Sequence, residues 1–134
     1  MESSIIYHFA WSPMRSKPCL VGEAASRLAE LIREKAAELH VDLEELSIYP
    51  DCVYLALAAP PTLSPHHIVC QLKAHSSHCL RLEFEEMTKI PTLWTRRYVV
   101  RAGDHLTPEQ VLAAFQAALP PRRRPGRPRS RDRE

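Results

Sequence analysis

Two strand-length runs, residues 41–49 and 52–59, are separated only by Pro50-Asp51. A connection that short leaves no room for a crossover, so the two runs must pair as an antiparallel hairpin. Every other element has to be placed around that pair.

The flanking segments repeat one pattern. Residues 4–11 are short, apolar and aromatic and stop at Ser12-Pro13, which reads as a strand. Residues 22–40 place Leu28, Leu31, Ile32, Ala36 and Leu39 on one helical stripe, with Arg27, Glu30, Arg33, Glu34 and Glu38 opposite. Ser64-Pro65 opens a second helix, Ser as N-cap and Pro in the first turn, whose buried stripe is Ile68, Val69, Leu72 and Leu80. Residues 83–91 form a charged connection without a period. Residues 93–102 read as a fourth strand ended by Gly103-Asp104. Thr107 and Gln110 make a capping box for a third helix with Val111, Leu112, Phe115 and Leu119 on its apolar face, and Pro120-Pro121 ends it. The order βαββαβα, with one apolar stripe per helix, predicts an α+β chain: a ferredoxin-like antiparallel sheet with helices on one face.

Charge divides the 134 residues into two parts. The formal net charge is +2. Residues 120–134 hold seven arginines against two acids, or +5, which leaves 11 bases and 14 acids, or −3, in residues 1–119. The expected organisation is a folded domain over 1–119 and a disordered Arg/Pro-rich tail over 120–134. The longest apolar run, 53–59, is far short of the roughly 18–20 residues that span a membrane. The first residues carry an acid and no basic stretch, so no secretory signal is expected. Cys19, Cys52, Cys70 and Cys79 have no CxxC spacing and read as free thiols of a cytoplasmic protein.

Local sequence is more specific. The first strand reads Tyr7-His8-Phe9-Ala10-Trp11-Ser12-Pro13-Met14-Arg15, and the hairpin Tyr49-Pro50-Asp51-Cys52-Val53-Tyr54-Leu55. The second helix carries Ser64, Ile68-Val69, Leu72-Lys73, Ser76-Ser77 and Leu80-Arg81, followed by Leu93-Trp94-Thr95, Tyr98-Val99-Val100 and Gly103. In this order and spacing, residues 5–119 resemble the single-tyrosine HUH transposases of bacterial insertion sequences, the IS200-like transposases, which move as single-stranded DNA.

The resemblance implies a definite chemistry. In the family the third strand carries Pro-Asp-His-x-His, and alternate residues of a strand share a face, so two imidazoles hold a divalent metal, magnesium or manganese. A tyrosine on the last helix attacks the scissile phosphate, and a glutamine four residues on completes the metal shell. This chain departs at each point: the histidine positions are Cys52 and Tyr54, and the Thr107 cap puts the nucleophile at Ala114 and the glutamine at Ala118. A thiol and a phenol are mostly protonated at neutral pH, and cysteine favours soft metals. Tyr54 stands where a ligand should be, and Ser12, Ser64, Ser76 and Ser77 match no nucleophile position. No intact catalytic site, no bound metal and no cofactor are expected.

Other residues carry binding readings. Arg15, Lys17, Lys73, Arg81, Arg96, Arg97 and Arg101 are candidate phosphate contacts of the domain. Trp11, Trp94 and Tyr98 are either core or base-stacking platforms, and His8 reads as structural. The tail residues Arg122, Arg123, Arg124, Gly126, Arg127, Pro128 and Arg129 resemble an AT-hook, whose arginines enter the narrow minor groove of A·T-rich DNA, although Pro125 stands where the usual core has arginine. His67/Cys70 and His75/Cys79 are helical neighbours that suggest zinc. Cys70 and His78, however, lie about 12 Å apart along a helix, so the pairs cannot share one ion within a chain. An incidental exposed face is the simpler reading, an intersubunit site the alternative. The resemblance implies a homodimer, and together with these features it predicts a nucleoid-associated DNA-binding protein derived from a transposase, without strand cleavage. Its partner would be a single-stranded hairpin or an A·T-rich duplex. The rival readings are a nuclease with a non-standard site and a dimerisation module that binds no DNA.

Overall fold

The computed structural model describes residues 4–89, 92–103 and 106–118. Strands β1 (Ile5–Trp11), β2 (Asp42–Tyr49), β3 (Cys52–Ala59) and β4 (Val99–Ala102) form one sheet in the order β2-β3-β1-β4, with every pair antiparallel. The hairpin at Pro50-Asp51 is present as expected, with Tyr49 opposite Cys52. Helices α1 (Gly22–Glu38) and α2 (Pro65–Glu83) cross between strands, α3 (Glu85–Thr88) is a single turn, and α4 (Pro108–Ala118) follows β4. The α+β class and the ferredoxin-like strand order agree with the sequence reading.

One part of that reading needs correction, because the helices do not all lie on one face. Phe9 and Trp11 of β1 and Val53, Leu55 and Leu57 of β3 bury against α1 and α2. The residues of opposite parity, Ala10, Tyr54 and Ala56, join Val99 in a second cluster with Val111 and Phe115 of α4. The central strands are apolar on both sides and are therefore covered on both sides. The last helix supplies the second layer.

Helix boundaries follow cap chemistry. Ser64 Oγ accepts the His67 N–H at 3.1 Å, with Pro65 in the first turn. Thr107 and Gln110 exchange side chain-to-backbone bonds of 2.9 and 3.2 Å, the predicted capping box. α1 stops at Glu38, two residues before the sequence expectation. His40 takes φ 61°, and the His40 and Val41 N–H groups turn back to the Ala37 and Ala36 carbonyls in a Schellman motif. Arg27 then ties α1 to the end of α2 through Glu83, at 2.8 and 3.0 Å.

β4 is shorter than the predicted 93–102 strand. Residues 93–95 instead run beside 12–14: Met14 N–H donates to the Leu93 carbonyl (2.8 Å) and Thr95 N–H to the Ser12 carbonyl (3.1 Å). Trp94 turns inward, edge-on to Trp11 at 5.9 Å, and its indole N–H reaches the Lys73 carbonyl and Ser76 Oγ, both at 3.1 Å. Segment 83–91, read as irregular, contains α3 with Met87 buried.

Candidate nucleic-acid interface and the catalytic position

Cys52 and Tyr54 lie two residues apart on β3 and share the face covered by α4. Tyr54 is fully buried, while Cys52 is half-buried near the hairpin turn. His8 on β1 reaches across, its Nδ1 2.9 Å from the Tyr54 hydroxyl and its Nε2 2.7 Å from the Gly103 carbonyl. A carbonyl can only accept, so Nε2 carries the proton, and in the neutral ring Nδ1 accepts the Tyr54 O–H. Gly103 has φ 134°, a conformation open to glycine that aims this carbonyl at the imidazole.

The electrostatics keep both groups neutral. Burial, reinforced by the Asp51 carboxylate, pushes the Cys52 thiol up to about 11. Burial, with smaller contributions from Glu45 and Glu109, pushes the Tyr54 phenol up to about 12. Above them Ala114 packs half-buried on the α4 side of the sheet. Ala118 is the last residue of α4, and its side chain lies outside the described residues. Among the described residues no three His, Cys, Asp or Glu side chains converge as a metal site. The serines are occupied elsewhere: Ser12 and Ser76 are buried, Ser76 donates to the Leu72 carbonyl (2.7 Å), Ser77 to the Ala74 carbonyl (3.3 Å), and Ser64 caps α2.

The candidate phosphate contacts separate into different environments. Segment 92–98 runs alongside α2, bringing Leu93 near Arg81, Thr95 near Lys73 and Tyr98 near His66. Lys73 is half-buried and committed: its ammonium donates to the Thr95 carbonyl at 2.7 Å and lies 5.8 Å from the Tyr98 ring centroid, and burial lowers its pKa. Arg96 and Arg97 stand exposed on the 92–98 segment. Arg15 is exposed on the adjoining segment and held at φ 60°, an uncommon conformation for a side chain-bearing residue. Lys17 and Arg101 are also exposed. Arg81 lines an open groove of about 520 Å³ with Ser77, His78, Thr88 and Thr92.

Trp11 and Trp94 belong to the core, so the stacking reading does not apply to them, while Tyr98 is half-buried. His67 does not meet Cys70; His66 does. The His8–Tyr54–Gly103 bridge and the His66–Tyr98 contact were not legible in the sequence, because each joins residues more than 30 positions apart. The tail residues Arg122–Arg124 and Gly126–Arg129 lie outside the described residues.

The sequence and the fold of this chain have known counterparts. The family profile for IS200-like transposases matches residues 1–114. The ISDra2 transposase TnpA of Deinococcus radiodurans is 26% identical over 108 residues, covering 78% of this chain and 77% of the relative. A crystal structure ascribed to a transposase from Deinococcus radiodurans R1 superposes with a TM-score of 0.78 at 26% identity, covering 87% of this chain and 92% of the other. The fold is shared, at a TM-score of 0.60 and 9% identity, with a REP-associated tyrosine transposase bound to a REP hairpin, over 86% of this chain and 65% of that one.

The fold and the sequence together define a protein of DNA transposition. The chain belongs to the IS200-like transposase family. Among the described residues no helix is long and apolar enough to cross a membrane.

Proposed function

We propose that this chain is a DNA-binding member of the IS200-like transposases in which a packed, non-catalytic junction has replaced the strand-cleavage centre. The observation that carries the reading is the Tyr54 hydroxyl, buried beneath α4 and bonded to His8 where the family resemblance calls for a metal-binding imidazole.

The residues present do not fit a magnesium or manganese ion. A hard divalent cation asks for oxygen ligands or neutral imidazoles. Cys52 offers a thiol that burial keeps protonated, Tyr54 a phenol already bonded to His8, and the Ala118 position no donor atom. Ala114 has no nucleophilic atom, and no cleavage step is routed through this site.

DNA binding is the part of the family activity that these changes leave intact. Exposed Arg15 and Arg96 offer guanidinium groups on adjoining segments, and residues 120–134 add a charge of +5. Phosphate neutralisation by such groups makes affinity salt-dependent. The partner is a single-stranded hairpin or an A·T-rich duplex. The working unit is a homodimer, and nucleoid association follows from the DNA affinity.

Binding is tested by titrating the full chain and a 1–119 truncation onto a hairpin-ended single strand and an A·T-rich duplex at several salt concentrations. Binding by both proteins, steeper in salt for the full chain, assigns a share to each part. Binding by the full chain alone assigns DNA contact to the tail. Failure of both overturns the DNA reading. Light scattering of the same samples tests the homodimer, and a monomeric mass contradicts it.

A further inference from the structure

Segment 92–98 lies outside the named strands and helices and owes its path to individual bonds. A backbone without a ladder has to find its partners one by one. Thr95 N–H donates to the Ser12 carbonyl at 3.1 Å, and Met14 N–H donates to the Leu93 carbonyl at 2.8 Å. The Trp94 indole N–H reaches the Lys73 carbonyl and Ser76 Oγ of α2, both at 3.1 Å. Further along, His66 Nδ1 of α2 is 2.9 Å from the Tyr98 hydroxyl.

Within this set Lys73 has a particular place. Arg96 and Arg97, both exposed, stand between Thr95 and Tyr98. The Lys73 ammonium donates to the Thr95 carbonyl at 2.7 Å and lies 5.8 Å from the Tyr98 ring centroid, within cation–π range. A single side chain thus pins the residue before the two arginines and the residue after them. Lys73 is itself half-buried, and burial lowers its pKa, as befits an ammonium turned toward the protein.

We infer that Lys73 is a positioning residue for DNA binding, which fixes segment 92–98 so that Arg96 meets the phosphate backbone from a pre-ordered support. The inference rests on the DNA-binding function proposed above and gives Lys73 a part in it without contact to the nucleic acid. A segment ordered before association has already lost its conformational freedom, so that loss does not weaken binding. Once freed, the segment must be ordered on the DNA, while the same phosphates are neutralised in the complex. Affinity then falls at an unchanged salt slope, whereas the loss of a direct phosphate contact would lower the slope.

The test titrates full-length variants onto a hairpin-ended single strand at several salt concentrations, with circular dichroism confirming that each is folded. Lys73→Met keeps the apolar stem and removes the donor; it should weaken binding about 10-fold at an unchanged slope. Lys73→Arg retains a cationic donor and should recover most of that loss. In an Arg96→Ala background, Lys73→Met should cost little more. Without DNA, trypsin should cut after Arg96 and Arg97 about 10-fold faster in Lys73→Met, because cleavage follows the population of the opened segment. An unchanged affinity, a slope lowered by about 1, or a loss that persists in full beside Arg96→Ala would overturn the inference. A wild type that binds no hairpin overturns the DNA reading instead. The trypsin comparison then still decides whether Lys73 holds the segment, and equal cutting rates would show that it does not.

Discussion

One imidazole joins three parts of the sheet: His8 on β1 accepts the buried Tyr54 hydroxyl of β3 at 2.9 Å and donates to the Gly103 carbonyl after β4 at 2.7 Å. Tyr54 stands diagonally across the β1–β3 ladder from His8, its own partner being Ala10. Tyr54, which the resemblance sets at a family ligand position, serves here as a structural tie. Tyr54→Phe should destabilise the fold by about 1–3 kcal/mol, because it leaves a buried imidazole nitrogen without its partner. Urea unfolding measures this, and an unchanged midpoint would show that the bond contributes nothing.

Alkaline stability follows from the same pocket. Cys52 and Tyr54 hold their protons to about 11 and about 12 in the folded chain, against ordinary values of 9.0 and 10.0. The neutral forms are preferred by the folded state, so this stabilisation is whole below pH 9.0 and is lost as pH rises through about 11 and then about 12. Unfolding midpoints collected from pH 8 upward should fall over that window, and Cys52→Ala together with Tyr54→Phe should flatten the fall.

A tyrosine placed at Ala114, the position that the resemblance gives to the family's nucleophile, should not produce strand cleavage. Ala114 packs half-buried beside the Tyr54 cluster. Ala114→Tyr overfills that contact, at an expected cost of about 1–3 kcal/mol. Beside Cys52 and Tyr54, whose protonated thiol and phenol do not fit a magnesium or manganese ion, the new phenol should form no covalent DNA adduct. Thermal melts and a denaturing gel read the two outcomes.

The cations should differ in what they do. Arg15→Ala and Arg96→Ala each remove an exposed guanidinium and should lower the salt slope of hairpin binding by about 1 with little change in stability. Lys73→Ala breaks the 2.7 Å bond to the Thr95 carbonyl and should cost about 1 kcal/mol of stability while leaving the slope near its starting value. A larger slope change for Lys73→Ala than for Arg96→Ala would reverse the assignment.

Much of the fold was legible because the signals were local. The Pro50-Asp51 turn, the Ser64-Pro65 start and the Thr107–Gln110 box each specify their own geometry, and each is present. The side of the sheet taken by α4 was missed, although the unbroken apolar run 53–59 already called for cover on both faces. Strand β4 was overextended because buried Leu93 and Trp94 carry the composition of a strand while their backbone bonds go to residues 12–14. At the candidate site, the placing of Cys52 and Tyr54 on one face of β3 followed from strand parity alone. That His8 would hold Tyr54, and that Lys73 would be turned inward, depends on long-range packing that no local pattern encodes.

The most direct measurement incubates the full chain with a hairpin-ended single strand and manganese, then resolves the products on native and denaturing gels. A shifted native complex with no protein–DNA adduct surviving denaturation is the predicted result. A covalent adduct would contradict it and would return this chain to the strand-cleaving transposases.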